Sequence, residues 1–109
     1  MRIYEKSLDL VASVCKLSRK VQQFDPDLAR QMRRSVVSVP LNIAEGMYSR
    51  AGNRIARYEN AMASAKETQA ALEVSVRAEY LPAAAIVDDL YRIDHIVATL
   101  WKLSGQRAR

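Results

Sequence analysis

Hydrophobic residues recur along this chain at alternating steps of four and three, which is the period of one face of an α-helix. The pattern is clearest near the N-terminus, where it predicts a helix over about residues 3–23. The stripe consists of Ile3, Ser7, Leu10, Val14, Leu17, Val21 and Phe24. Asp25 and Pro26 then predict the start of a second helix, because aspartate caps helix N-termini and proline suits the first helical position.

Three further stripes predict helices over about residues 26–48, 53–78 and 82–104. The second stripe comprises Leu28, Met32, Val36, Val39, Ile43 and Met47; the third Ile55, Tyr58, Met62, Ala65, Leu72 and Val76; the fourth Ile86, Leu90, Ile93, Val97 and Leu100. Pro40 is expected to kink the second helix without ending it, because the apolar register continues beyond the proline. Gly46 and Gly52 are expected to end the second helix, and Pro82 to begin the fourth. Gly105 would end that helix, leaving residues 106–109 as a short basic tail.

Helices of about 20 residues are about 30 Å long, and rods of equal length with short connections pack most simply side by side. The predicted fold is therefore all-α, an antiparallel up-down-up-down four-helix bundle that forms one domain over residues 1–109. No stretch approaches the roughly 18 apolar residues of a membrane span, and no signal peptide follows Met1. The single cysteine, Cys15, fits a reducing compartment, so a cytoplasmic protein without a membrane partner is expected.

The second helix carries an additional apolar line on the side opposite its core stripe. This line consists of Val37, Leu41, Ala44 and Tyr48, at steps of four, three and four. A monomer would expose it to water, and exposed apolar patches usually mark contact surfaces, so it is a candidate oligomer interface. The alternative is that the kink at Pro40 turns the line into the core.

Positive charge is concentrated in the middle of the chain. Six arginines and a single acid, Glu45, lie between residues 30 and 57, and this excess equals the net charge of +5 of the whole chain. The arginines are Arg30, Arg33, Arg34, Arg50, Arg54 and Arg57. Guanidinium groups suit phosphate, so these six are candidate contacts for RNA or DNA. The alternative is an ordinary solvated face, and sparse aromatic residues argue against base stacking.

The run from Arg33 to Gly46, RRSVVSVPLNIAEG, resembles the signature of the "four helix bundle protein" family, also known as the 23S rRNA intervening-sequence proteins. The resemblance continues through Ala61-x-Ala63-Ser64-x-x-Glu67 and Leu72-Glu73 to Tyr80-Leu81, and so covers nearly the whole chain. Two positions depart from the family pattern. Leu41 stands where serine or alanine is usual, and Glu79 replaces the common glycine before Tyr80.

This resemblance implies an antiparallel four-helix bundle that assembles as a homopentamer around a central channel. Members are often encoded by insertions in large-subunit ribosomal RNA genes. They are similar to the accessory protein of diversity-generating retroelements, a basic pentamer that associates with a reverse transcriptase and with nucleic acid. A nucleic-acid-processing protein is therefore an expected partner, besides further copies of the chain itself.

Within the signature, Pro40, Asn42, Glu45 and Gly46 are candidate structural residues. Asn42 and Glu45 could contact a ligand in a channel or cleft. The favoured interpretation is that their side chains satisfy backbone groups near Pro40 or pair with an arginine such as Arg34.

No catalytic, metal or cofactor site is predicted. A di-iron bundle requires Glu-x-x-His on two helices, and the only histidine, His95, has no such context. Cys15 lies beside the core stripe, where a buried thiol is the simpler interpretation. An enzymatic bundle would need a buried polar cluster, for which Asn42, Glu45, Glu67 and Gln69 are the candidates.

The sequence therefore predicts a non-enzymatic, homo-oligomeric basic module that binds RNA or DNA or assists a nucleic-acid enzyme. The alternative function is a protein-binding scaffold with no role in nucleic-acid binding.

Overall fold

The computed structural model describes residues 1–105, which form four α-helices and one short 3₁₀-helix. The α-helices are α1 (Arg2–Gln22), α2 (Pro26–Met47), α3 (Ala51–Arg77) and α4 (Val87–Leu103), and the 3₁₀-helix, Ala83–Ile86, precedes α4. The predicted basic tail, residues 106–109, lies outside the described residues.

The helices follow one another around the bundle. α1 packs on α2, α2 on α3 and α3 on α4, and α4 returns to α1, within an envelope of 42 × 26 × 20 Å. Consecutive helices are antiparallel because short turns join them. This arrangement confirms the predicted all-α four-helix bundle, and it places α2 and α4 at opposite corners.

The turn between α1 and α2 has the predicted chemistry. Asp25 is the N-cap of α2 and accepts a hydrogen bond from the Leu28 amide at 3.0 Å, and Pro26 occupies the first helical position. Beside this turn, the ring of Phe24 stacks on Tyr80 with the centroids 5.3 Å apart. Phe24 was predicted to be buried, but its side chain is largely exposed, because it stacks over the end of the bundle instead of entering the core.

α2 continues through Pro40, which is itself buried. Val36, Val39 and Ile43 are fully buried on both sides of the proline, so the core stripe keeps its register, as predicted. Gly46, by contrast, does not provide the exit of this helix. It lies buried inside the last turn of α2, and Gly52 lies in the first turn of α3, which begins at Ala51 rather than near residue 53.

The buried face of α3 differs from the prediction. Tyr58, Ala65 and Leu72 are buried as expected, but Ile55 is exposed. The remaining buried positions are small or polar, namely Ala61, Thr68, Ala71 and Ser75. Small side chains allow a neighbouring helix to approach closely, and this is how α3 meets α2.

The start of the fourth helix also differs from the prediction. Pro82 has an extended backbone (φ −73°, ψ 149°), and the Ala85 amide donates to the Pro82 carbonyl at 3.0 Å, so the chain first makes a 3₁₀ turn. α4 therefore begins at Val87, five residues after the predicted start at 82.

A buried carboxylate connects α4 to α1. Asp89 accepts a hydrogen bond from the Ser13 hydroxyl at 2.7 Å and pairs with Arg92 at 2.8 Å. The core line of α4 runs through Ile86, Asp89, Ile93, Ile96 and Leu100. The sequence prediction placed Leu90 and Val97 on this line, and both are only partly buried.

The residue after the C-cap of α3, Glu79, has a left-handed backbone conformation that is unfavourable for a residue with a side chain. Glu79 has a φ of 66°, and the Tyr80 amide donates to the Ser75 carbonyl at 2.8 Å, which is the bonding pattern of a Schellman cap. Glycine is the usual residue here because it has no Cβ to clash in the left-handed conformation.

We expect Glu79→Gly to stabilise the protein. The left-handed conformation costs a non-glycine residue about 1–2 kcal/mol, and the freedom of glycine in the unfolded chain offsets about 0.5–1 kcal/mol of the gain. The free energy of unfolding should rise by about 0.5–1 kcal/mol, measured by urea denaturation. Glu79→Ala is the control, because it retains the Cβ and should leave stability unchanged; equal effects of the two variants would contradict the explanation.

Candidate nucleic-acid interface and assembly surface

The six arginines of the central segment do not form one cluster. Arg30, Arg33 and Arg34 lie in the first half of α2, whereas Arg50, Arg54 and Arg57 lie at the turn into α3 and in its first two turns. Arg57 lies level with Glu45, its ion-pair partner. The 11 residues between Arg34 and Glu45 correspond to about 16 Å along the helix. The two groups are therefore separate surfaces.

Two of the three arginines at the α2–α3 turn are engaged within the chain, and the third, Arg50, is exposed. Arg54 donates to the Ser49 carbonyl at 2.8 Å and to the Gly46 carbonyl at 3.2 Å. A cation at this end of α2 is favoured by the helix dipole, and it adds to the bond that the Ser49 amide makes to the Gly46 carbonyl. Arg57 pairs with Glu45 at 3.1 Å. Arg54 and Arg57 thus hold the turn, Arg54 through backbone carbonyls and Arg57 through an ion pair at the surface.

The arginines in the first half of α2 point in different directions. Arg30 pairs with Asp27 on the exposed surface. Arg33 crosses to α1 and donates to Gln22 at 3.2 Å. Arg34 lies at the mouth of a groove beside α3 and has no ion-pair partner within residues 1–105.

A second group of cations, which the sequence analysis missed, lies on α1, the helix that Arg33 contacts through Gln22. Lys16, Arg19 and Lys20 are exposed on α1, and no ion pair neutralises them in the described part of the chain. No acid occurs between residues 10 and 24. This local lack of acidic residues is the sequence feature from which the second group of cations could have been predicted. We call Lys16, Arg19, Lys20, Arg30 and Arg33 the basic flank.

The predicted interface residues on α2 lie on the surface of the chain. Val37, Leu41 and Tyr48 are 39%, 59% and 87% exposed, and Ala44 between them is partly exposed. We call these four residues the α2 strip. Pro40 does not turn the strip into the core, so the alternative interpretation of this line is excluded.

Asn42 has a structural role in α2. Its side-chain amide donates to the Ser38 carbonyl at 2.9 Å and lies 3.0 Å from the Ser38 hydroxyl. That hydroxyl contacts the Ser64 hydroxyl of α3 at 2.8 Å. Asn42 therefore supports a polar contact between helices. It does not bind the carbonyl left free by Pro40, which belongs to Val36, four residues earlier.

Hydroxyl groups continue along this α2–α3 seam. Thr68 donates to the Ser35 hydroxyl at 2.9 Å, and Ser35 donates to the Met32 carbonyl. Beside the seam lies an open groove of about 350 Å³, lined by Gln31, Arg34, Ser35, Ser38, Ser64 and Glu67. The hydroxyls are occupied by one another and by backbone carbonyls, so the seam fastens two helices rather than presenting an activated nucleophile.

The candidates for chemistry lie apart from one another. Cys15 is half-buried on α1, and His95 is exposed on α4. Glu45 pairs with Arg57, and Gln69 accepts from Lys66 at 3.4 Å. Across residues 1–105, no three His, Cys, Asp or Glu side chains come together as a metal site. None of the helices described here combines the length and apolar character needed to cross a bilayer.

Gly46 allows the aromatic ring of Tyr58 to lie against α2. A Cβ on Gly46 would lie 2.7 Å from Cδ1 of Tyr58, and closer still to Cε1. Tyr58 is 3% exposed, so its ring cannot move aside freely. The glycine of the signature is thus required by a helix contact rather than by a helix end.

These features define a class of protein: an all-α helical bundle with a basic flank and an exposed apolar strip. The sequence profile of the 23S rRNA-intervening sequence protein family matches residues 1–102. The chain therefore belongs to this family.

A solved structure has the same fold. That structure is of a protein of unknown function from the S23 ribosomal protein family of Bacteroides thetaiotaomicron. It superposes with a TM-score of 0.86 at 22% identity, covering 94% of this chain and 97% of that one. No curated protein matches this chain.

We expect Gly46→Ala to lower the free energy of unfolding by about 1–3 kcal/mol, because the added methyl group overpacks a buried contact. Gly52→Ala is the matched control. Nothing lies within 4 Å of a Cβ at that exposed helical position, so alanine should be neutral or stabilise by up to about 1 kcal/mol. Urea denaturation of both variants measures the difference, and a neutral Gly46→Ala would show that Tyr58 does not require the glycine.

Proposed function

We propose that this protein is a non-enzymatic, homo-oligomeric module that binds RNA through its basic flank. The observation that supports this function is the set of exposed cations on α1, the helix that Arg33 of α2 contacts at Gln22. Lys16, Arg19 and Lys20 present three charges over little more than one helical turn, and Arg33 brings a fourth from the neighbouring helix.

The chemistry of the flank favours a phosphate backbone. Cations that contact phosphates release condensed counterions, which supplies affinity without reference to base sequence. Asp27, paired with Arg30, is an acid beside the flank, and its charge offsets only one of the five cations. The flank contains no aromatic residue on which bases could stack, so we expect binding with little sequence preference.

We choose RNA over DNA as the first ligand to test because of the name of the family. The family takes its name from an intervening sequence of 23S rRNA, which by the resemblance is where the gene lies, so this RNA is the first one to test. A segment of 23S rRNA is therefore the natural probe. Contact with a nucleic-acid-processing protein would be an additional function of the assembled module.

The separation of polar residues supports a role without catalysis. Asn42 supports the α2–α3 seam, Glu45 pairs with Arg57, and Gln69 bonds to Lys66 on its own helix. Glu67 is exposed at the groove, where Arg34 is the charged neighbour. A general acid or base would need a nucleophile or substrate site within hydrogen-bond reach.

Self-association is proposed for the α2 strip. Three apolar side chains exposed in one line on a small protein mark a protein contact. The family resemblance suggests five copies. The same strip could instead receive a different protein, in which case the chain would serve as a scaffold.

We expect the protein to bind a labelled single-stranded segment of 23S rRNA at low salt, with affinity falling steeply as salt rises. Replacing Lys16, Arg19 and Lys20 together by alanine should reduce the slope of log K against log salt by about two for a single strand. Fluorescence anisotropy across a salt series measures this slope.

The matched control replaces Arg50, Lys66 and Arg77 by alanine, which removes the same charge from exposed positions on or beside α3. It should alter the slope much less. Equal losses in the two triple variants would show that total charge, not the basic flank, determines binding. Absence of RNA binding by the wild-type protein would reject the proposed function and favour the scaffold.

A further inference from the structure

Two aromatic side chains form a stack at the end of the bundle where α1 turns into α2 and α3 ends. The rings of Phe24 and Tyr80 are nearly parallel, with 9° between their planes and 5.3 Å between their centroids. Phe24 is 60% exposed, whereas Tyr80 is partly buried. Because one face of the Phe24 ring already lies against Tyr80, an exposure of this size leaves its other face open to solvent. We call these two residues the aromatic platform.

The platform is held in place by the turns that carry it. Tyr80 packs against the hydrophobic core, and its amide donates to the Ser75 carbonyl at 2.8 Å. The Phe24 amide donates to the Val21 carbonyl at 2.9 Å. A flat ligand that stacks on Phe24 would therefore meet a ring that is already ordered, and this preorganisation lowers the entropic cost of binding.

Burial does not account for the position of Phe24. A ring that served only to close the end of the bundle would remove most of its apolar surface from water, since that transfer is what stabilises a fold. Phe24 instead keeps more than half of its surface exposed. An open aromatic face on a fixed support is the form in which proteins stack the bases of single strands.

The platform lies at the end of the basic flank. Lys16, Lys20 and Phe24 follow one another at steps of four. The backbone keeps its helical course through this segment, because the Asp25 amide donates to the Val21 carbonyl, four residues earlier, at 2.8 Å. Residues four apart lie on the same side of a helix, and each such step advances about 6 Å. Phe24 is therefore about one turn beyond Lys20, on the same side of α1.

We propose that the aromatic platform is a stacking site for one unpaired base of an RNA strand whose phosphates contact the basic flank. This inference rests on the RNA binding proposed above and adds an uncharged contact to it. Every base has a π face, so the site adds affinity with little preference for sequence. A base inside a duplex is covered on both faces, so the site selects single-stranded RNA.

The charges around the platform determine which part of the nucleotide reaches it. Asp25 and Glu79 are the sequence neighbours of its two rings, and Asp27 lies just beyond on α2, paired with Arg30. Arg77, the last residue of α3, offsets one of these charges, so the surroundings of the rings stay slightly acidic. Carboxylates repel a phosphate but not an uncharged base. The phosphates therefore stay on the α1 cations, and only the base extends over the platform.

A titration with single-stranded RNA tests the stacking site. Phe24→Ala should weaken the binding of a labelled oligouridine about fivefold or more, because the aromatic contact with one base is lost. Stacking releases no counterions, so the loss should be the same factor at every salt concentration. The slope of log K against log salt should therefore equal that of the wild type. Fluorescence anisotropy across a salt series measures both quantities.

Phe24→Trp is the matched control, because it retains a flat aromatic face and should bind as tightly as the wild type. Tyr91→Ala removes a tyrosine that is 73% exposed on α4 and should have no effect. A long RNA duplex carries phosphates without open base faces, so Phe24→Ala should bind it as the wild type does. Circular dichroism checks folding. If Phe24→Ala does not fold, Phe24→Leu keeps apolar bulk beside Tyr80 without a flat face and should show the same loss.

The possible failures are distinct. Absence of RNA binding by the wild-type protein would reject the proposed function, and the stacking site with it. Wild-type affinity of Phe24→Ala for oligouridine, or a loss that Phe24→Trp shares, would reject the stacking site alone. A changed salt slope, or an equal loss on the duplex, would show that Phe24 acts by positioning the cations of the flank, and would also overturn the stacking site.

Discussion

The close approach of α2 and α3 is the contact on which the rest of the structure depends. It requires small side chains: the Ser38 and Ser64 hydroxyls meet directly at 2.8 Å, and Gly46 leaves room for the buried ring of Tyr58. This contact and the burial of Val36, Val39 and Ile43 fix the rotation of α2 about its own axis. With that rotation fixed, the α2 strip must face outward and Arg33 must face α1. The positions of both candidate surfaces therefore follow from the interior.

Much of the fold could be predicted from the sequence because α1 and α2 bury large aliphatic residues at a regular helical period. α3 was harder, since its buried positions are largely alanine, serine and threonine, which hydrophobicity alone does not distinguish from a solvated face. In α4 the core line passes through Asp89, and a carboxylate is expected at the surface unless a partner is known. Its partner Ser13 is 76 residues away, so only the tertiary structure explains the buried charge.

The candidate site was less predictable, because charge was counted along the chain whereas binding depends on neighbours in space. The arginines between residues 30 and 57 are close in sequence, but the length of α2 separates them into two groups. Arg54 and Arg57 are held by the turn and by Glu45. Arg33, in contrast, lies beside α1, whose lysines were not among the predicted phosphate contacts. Antiparallel packing therefore assembles the basic flank from two helices.

The proposed surfaces do not compete for the same side chains. Contacts between copies would use the α2 strip, whereas Lys16, Arg19 and Lys20 lie on the side of α1 opposite its buried stripe. Each added copy would then contribute these three cations again, while Arg30, seven residues before Val37, lies in line with the α2 strip. Binding several flanks to one RNA strand makes the later contacts intramolecular, so overall affinity can exceed that of a single subunit by orders of magnitude. A flank of few charges and no aromatic residues is weak alone, and repetition around an assembly is the physical means by which it would hold a polyanion.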